Sequence, residues 1–157
     1  MLELKQINKY YNQGTVNEMC LFEDFSLTIR DRQFVSVVGS NGSGKTSMLN
    51  IICGSIPLDS GRIIIGGKDI TSMPEYKRQR RIGRVYQNPA MGTCPHMTIL
   101  ENMALADNKG KPFNLLPGTN RQRINYYKEQ LHSLGLGLED KLHVKVGVLS
   151  GGQRQAM

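Results

Sequence analysis

Gly39-Ser40-Asn41-Gly42-Ser43-Gly44-Lys45-Thr46 is the stretch that decides the fold. It fits G-x-x-x-x-G-K-[ST], a loop that cradles phosphate groups when a strand precedes it and a helix follows. Before it, Phe34-Val35-Ser36-Val37-Val38 is almost continuously apolar and β-branched, the pattern of a strand buried on both faces of a sheet. After it, a helix is expected from about Lys45 to Cys53, with Gly54 to terminate it. Backbone N–H groups at such a loop-to-helix junction form a concave positive site. The glycines let the backbone approach a ligand closely, at dihedrals that a Cβ would obstruct. The plain alternative is a glycine-rich turn with an exposed lysine, and the strand-loop-helix context argues against it.

Outward from the loop, Leu2, Leu4 and Ile7 open one expected strand, and Phe25, Leu27 and Ile29 alternate as a second. Arg62-Ile63-Ile64-Ile65 reads as another, and Gly66-Gly67 signals a hairpin turn before Lys68-Asp69-Ile70. Lys77, Arg78, Arg80, Arg81 and Arg84 form a basic run, read as a solvated helix face or as a contact for an acidic partner surface. Ile82 to Tyr86 resumes a strand pattern that ends at Gln87. Thr98 with Glu101 makes a capping box that starts a helix at Ile99. Asn108 to Asn120 reads as a loop; Ile124, Tyr127, Leu131 and Leu134 then mark one face of a helix stopped by Gly135. Near the end, Leu149-Ser150-Gly151-Gly152-Gln153 places a favoured N-cap before exposed glycine N–H groups. The plain alternative for that pentapeptide is a capped helix after a glycine turn.

Composition bounds the rest. The 157 residues suit one domain, with 39% hydrophobic and 21% charged residues, ordinary for a globular protein. No apolar run approaches the roughly 20 residues needed to span a bilayer, and the first residues lack the apolar stretch of a secretory signal. Cys20, Cys53 and Cys94 form no C-x-x-C pair, and His96, His132 and His143 show no metal-ligand spacing. A reducing cytosol is the simplest reading.

The octapeptide and the pentapeptide, in this order, resemble one family, the ATP-binding-cassette (ABC) ATPases. The resemblance covers essentially all of the chain. It implies an α/β P-loop NTPase of ABC type: a single incomplete domain over 1–157, with a β-rich nucleotide-binding core over 1–88 and a helical subdomain over 89–157. Gly39, Ser40, Asn41, Gly42, Ser43, Gly44, Lys45, Thr46 and Ser47 would bind ATP. Lys45 would reach the β and γ phosphates, and the Thr46 hydroxyl would meet Mg²⁺. Tyr11, in Ile7-Asn8-Lys9-Tyr10-Tyr11, aligns with the aromatic residue that stacks on adenine; Tyr10 is its near competitor, and a purely structural tyrosine the alternative.

Gln87, in Val85-Tyr86-Gln87-Asn88, matches the Q-loop glutamine that touches the magnesium and attacking-water region, and a surface role is its default reading. Ser150, Gly151, Gly152 and Gln153 would meet the γ phosphate held by a second ATPase subunit in a head-to-tail dimer. The other implied partners are a membrane permease and a substrate-binding protein, with the chain at the inner face of the plasma membrane. The interval between Lys45 and Ser150 leaves no room for the long coiled coil of chromosome-maintenance and DNA-repair members. Ala90 to Ala106 looks most like the ATPases of bacterial importers, including tryptophan/tyrosine systems.

The family's run of four apolar residues ending in Asp-Glu, which supplies the metal-organising Asp and the general base, has no counterpart here. Leu21-Phe22-Glu23-Asp24 has only two apolar residues. The expectation is therefore a chain cut after the pentapeptide and inactive alone, since losing a general base costs about 10²–10⁴ in rate. The formal charge of +7 would suit nucleic acid or an anionic surface, but the family's remaining segment is rich in acidic residues and would offset part of it, so no nucleic acid is expected. The rival functions are a nucleotide-binding module that never hydrolyses ATP and an ABC ATPase of translation or DNA repair.

Overall fold

A computed structural model describes every residue except Phe113, Asn114 and Leu116, which fall inside the expected 108–120 loop. The described residues form two compact units, Met1–Ile82 and Gly83–Met157, so Gln87 falls in the second unit rather than with the strands.

The first unit is built on a four-stranded antiparallel sheet in the order β2-β1-β3-β4, with β1 at Leu2–Tyr11, β2 at Met19–Ile29, β3 at Ser60–Ile65 and β4 at Lys68–Asp69. Each contains residues expected in a strand, although β1 runs on to Tyr11 and β2 begins as early as Met19. Helix α1, Lys45–Cys53, ends at Gly54, whose N–H donates to the carbonyls of Asn50 and Ile51. Leu4, Ile7 and Ile63 from the sheet pack with Met48, Ile51 and Ile52 of α1 and with Ile70 into one core. Each such side chain contributes about 1.5–3 kcal/mol on burial. Gly61 is required by close approach: at φ 98° a Cβ there would stand 2.5 Å from the Gln6 carbonyl oxygen. Gln6, itself at φ 47°, marks the irregularity where β1 and β3 shift register.

Two expected strands are not formed. Phe34–Val38 forms no strand, and no described strand pairs with it; Phe34 is 92% and Val38 89% exposed. Ile82–Tyr86 also lacks strand structure. A strand exists only as part of a paired ladder, so an apolar run without a neighbour keeps its pattern and loses its conformation. Expressed by themselves, these 157 residues should therefore self-associate through Phe34–Val38. Light scattering should show aggregation that the Val35→Lys/Val37→Lys pair reduces severalfold; a monodisperse parent chain would contradict this.

The basic run also departs from a uniformly solvated face. Helix α2 spans only Glu75–Arg78, and Arg78 is buried. Its guanidinium donates to the carbonyls of Thr71, Met73, Ile51 and Ile52, at 2.7, 2.7, 2.8 and 3.2 Å. It thus satisfies carbonyls at the C-terminal end of α1, where a cation is favoured.

The second unit is helical: α3 at Ile99–Asp107, α4 at Ile124–His132 and α5 at Gly151–Ala156, with short 3-10 turns between. The Thr98–Glu101 capping box is present as expected, and Tyr127 and Leu131 are buried among Ile99, Leu100, Leu138, Leu142, Val146 and Leu149. Asp107 joins α3 to α4, accepting from Arg123 at 2.7 and 3.1 Å and from the Tyr127 hydroxyl at 3.0 Å. Burial alone would raise the Asp107 carboxyl, but the bonds from Arg123 and Tyr127 and the charges of Arg123 and Lys111 together hold it below the usual range. A carboxyl depressed on folding contributes stability above its unfolded pKa and loses it as pH falls through the folded value. Asp107→Asn should lower the melting temperature by several degrees at pH 7, and by less in acid where the native carboxyl is already protonated. Equal losses at both pH values would show that the charge is irrelevant.

Candidate functional site

The phosphate-type loop and the start of α1 are set by two left-handed glycines, Gly42 at φ 84° and Gly44 at φ 86°. Gly44 is the N-cap of α1 and no side chain caps the helix there, so the first-turn N–H groups face the loop's concavity without a competing side-chain acceptor. A Cβ on Gly44 would lie 3.1 Å from Leu21 Cδ1 and 3.3 Å from Phe22 Cζ, so the loop rests directly on β2. Gly39 is equally confined, since a Cβ there would stand 2.6 Å from Ser43 Oγ. Lys45 folds back over the loop, donating to the carbonyls of Gly39 at 2.8 Å and Ser40 at 2.6 Å, with Ser43 Oγ at 3.4 Å. All three partners are neutral oxygens, so the positive charge of Lys45 is not cancelled by them. Thr46 is exposed in the first turn of α1, and Ser47, next in that turn, is half-buried. Asn41 sits at the exposed tip of the loop.

Tyr11 ends β1 opposite Met19 of β2. Two residues back, Lys9 pairs with Phe22, a residue against which Gly44 packs. The end of β1 that carries Tyr11 therefore borders the loop. Lys9 is buried, bonds Asp59 Oδ1 at 2.9 Å, and holds its ammonium 5.6 Å from the Tyr11 ring centroid. Neither Lys9 nor Asp59 stood out in the sequence. The signal available was a lysine on the inward face of a strand, a placement that demands an anion.

Gln87 and the pentapeptide lie in the other unit. Gln87 is exposed, and Asn88 after it caps the 3-10 turn Pro89–Met91 through a bond from Ala90 N. Ser150 caps α5: its hydroxyl accepts from Gln153 N and the Gln153 side chain accepts from Ser150 N, each at 3.3 Å. That reciprocal box was readable as Ser-x-x-Gln and is an addition to the N-cap expectation. Gly151 and Gly152 are exposed, and a Cβ on either would meet nothing within 4 Å. Gln155 donates to the Tyr86 carbonyl at 3.2 Å, tying α5 to the segment that leads into Gln87.

Among the described residues no group of three His, Cys, Asp or Glu side chains could hold a metal ion. A neutral donor such as the Thr46 hydroxyl is of the kind that suits Mg²⁺, which takes few protein ligands when phosphate oxygens and water supply the rest.

The profile of the family described as ABC transporter matches residues 22–157. A tyrosine transport ATP-binding protein of Clostridioides difficile (strain R20291) is 43% identical over 157 residues, which are 100% of this chain and 62% of that protein. The spermidine/putrescine import ATP-binding protein PotA of Pasteurella multocida (strain Pm70) is 37% identical over 155 residues, 99% of this chain and 37% of that one. Among solved structures, the dimeric post-hydrolysis ATP-binding cassette MJ0796 bound to ADP and Pi superposes with a TM-score of 0.78 at 28% identity, covering 99% of this chain and 66% of that chain. The chain thus spans less than two thirds of the length of each of these proteins.

Proposed function

This chain belongs to the ABC transporter family, and on that footing we propose that it serves as the ATP-binding subunit of an importer, coupling ATP binding and hydrolysis to passage of a substrate through a separate permease. The observation that carries the reading is the Gly44–Lys45 junction: a left-handed glycine with uncapped helical N–H groups and, beside it, a lysine held only by neutral oxygens. Uncapped helical N–H groups and the Lys45 ammonium would together serve a polyphosphate at this junction. Bound Mg²⁺ would be held by Thr46 and would neutralise charge that develops on the transferred phosphoryl group. Lys45 holds the β and γ phosphates, and the loop N–H groups orient them. The Ser150–Gln153 cap presents the glycine N–H groups to the nucleotide of a second ATPase subunit packed head to tail.

No described helix is long and apolar enough to cross a membrane, so the proposed place at the inner face of the plasma membrane depends on the permease. A substrate-binding protein would complete an importer. The tyrosine transport relative makes tyrosine, or an amino acid of similar chemistry, the first cargo to test. Cells lacking the gene should lose uptake of labelled tyrosine, and the Lys45→Ala allele should fail to restore it. Unchanged uptake of tyrosine, other amino acids and polyamines would overturn the importer reading. Purification with ribosomes or DNA-repair proteins instead of a permease would favour the rival ABC classes.

A further inference from the structure

We propose that Asp59 and Lys9 are positioning residues for the nucleotide base, fixing Tyr11 as a preorganised platform beside the phosphate loop; this rests on the reading of Tyr11 as the base-stacking aromatic. Pairing of β1 with β3 ends at Asn8 and Ser60, so beyond Asn8 no described strand pairs with that edge of β1. Asp59 takes over the missing partner's work. Its own N–H donates to the Asn8 carbonyl at 3.1 Å, its Oδ1 accepts from Lys9 Nζ at 2.9 Å, and its Oδ2 accepts from Tyr10 N at 2.6 Å. One residue thus grips the three that precede Tyr11.

Lys9 passes that grip on to the ring. Its side chain is only 10% exposed, an expensive place for an ammonium unless it is paired. The pairing with Asp59 leaves the same ammonium 5.6 Å from the Tyr11 ring centroid, within cation–π range. The hydrogen bond from Tyr10 N, followed by that from Lys9, holds the Asp59 carboxyl below the ordinary range, so the anion persists at neutral pH. On the other side of β1, Lys9 pairs with Phe22, and Phe22 meets Gly44 of the loop. A ring held on one face by a cation has given up its rotamer freedom before a base arrives, so less order must be imposed on binding. Tyr10 takes part through its backbone, which separates its role from that of Tyr11.

Calorimetric titration of the gene's complete product with ATP and with inorganic tripolyphosphate, which has no base, tests this. Tyr11→Ala should weaken ATP about tenfold, with tripolyphosphate unchanged. Asp59→Asn and Lys9→Met should each weaken ATP by about three- to tenfold, again sparing tripolyphosphate, and Asp59→Glu should recover part of the loss. Adding Asp59→Asn to Tyr11→Ala should cost nothing more, because the platform it positions is gone. Equal weakening of both ligands, or additive losses in the double variant, would reduce the pair to fold maintenance and overturn the inference. If Tyr11→Ala acts as expected while Asp59→Asn and Lys9→Met do not, the inference falls alone. If Tyr11→Ala leaves ATP affinity intact, the reading of Tyr11 falls with it.

Discussion

Lys45→Ala should lower ATP affinity by at least about a hundredfold in the gene's complete product. The side chain has two jobs in this structure. It closes the loop by donating to the carbonyls of Gly39 and Ser40, and it places an uncancelled positive charge over the concavity. Hydrogen bonds to charged groups contribute about 1.5–3 kcal/mol each, and Lys45 is read as serving two phosphates. Losing both exceeds the roughly 2.7 kcal/mol that corresponds to a hundredfold change. The backbone donors at Gly44 would remain, so binding should be crippled without the loop unfolding. Titration of both proteins with a fluorescent ATP analogue measures the difference. Equal affinity would remove the phosphate-loop assignment, and with it the reading of Thr46 and Ser47.

The residues that were legible in the sequence are those whose conformation is decided locally. Gly54 ends α1, Thr98 and Glu101 start α3, and the Gly66-Gly67 turn joins β3 to β4, because caps and turns depend on neighbours within a few positions. The antiparallel strands were legible too, since Leu4, Ile7 and Ile63 carry the burial that their alternation announces. What failed was non-local. Phe34–Val38 has the composition of a central strand, but composition cannot supply the neighbour that makes it one. Arg78 looked like one basic residue among five, yet it turns inward because the C-terminal carbonyls of α1 and the turn at Thr71–Met73 offer it acceptors. Lys9 and Asp59 lie 50 positions apart, and nothing in either segment points to the other. In the candidate site the same division holds. The loop and the Ser150 cap are local motifs, whereas the support beneath Tyr11 exists only once β1 and the turn before β3 are brought together.

Ser150→Arg should leave nucleotide binding within each subunit nearly intact while cutting ATP hydrolysis by at least about a hundredfold, the order of loss that small misplacements at a reacting centre produce. Ser150 belongs to the second unit, whereas the Gly39–Thr46 loop belongs to the first. Losing its cap costs about 1 kcal/mol, too little to unfold a unit whose core holds Tyr127, Leu131, Leu138 and Val146. The damage should come from what is added. Ser150 is exposed, and Gly151 and Gly152 carry no side chains, so this end of α5 is open to solvent. A long guanidinium side chain there would occupy the space in which a second subunit's γ phosphate must settle. Ser150→Ala provides the control, since it removes the cap without filling that space and should reduce turnover far less. Turnover that is unchanged in Ser150→Arg would make the pentapeptide a helix cap and nothing more. Equal losses in the arginine and alanine variants would assign the effect to the cap, leaving no role for contact with a partner's nucleotide.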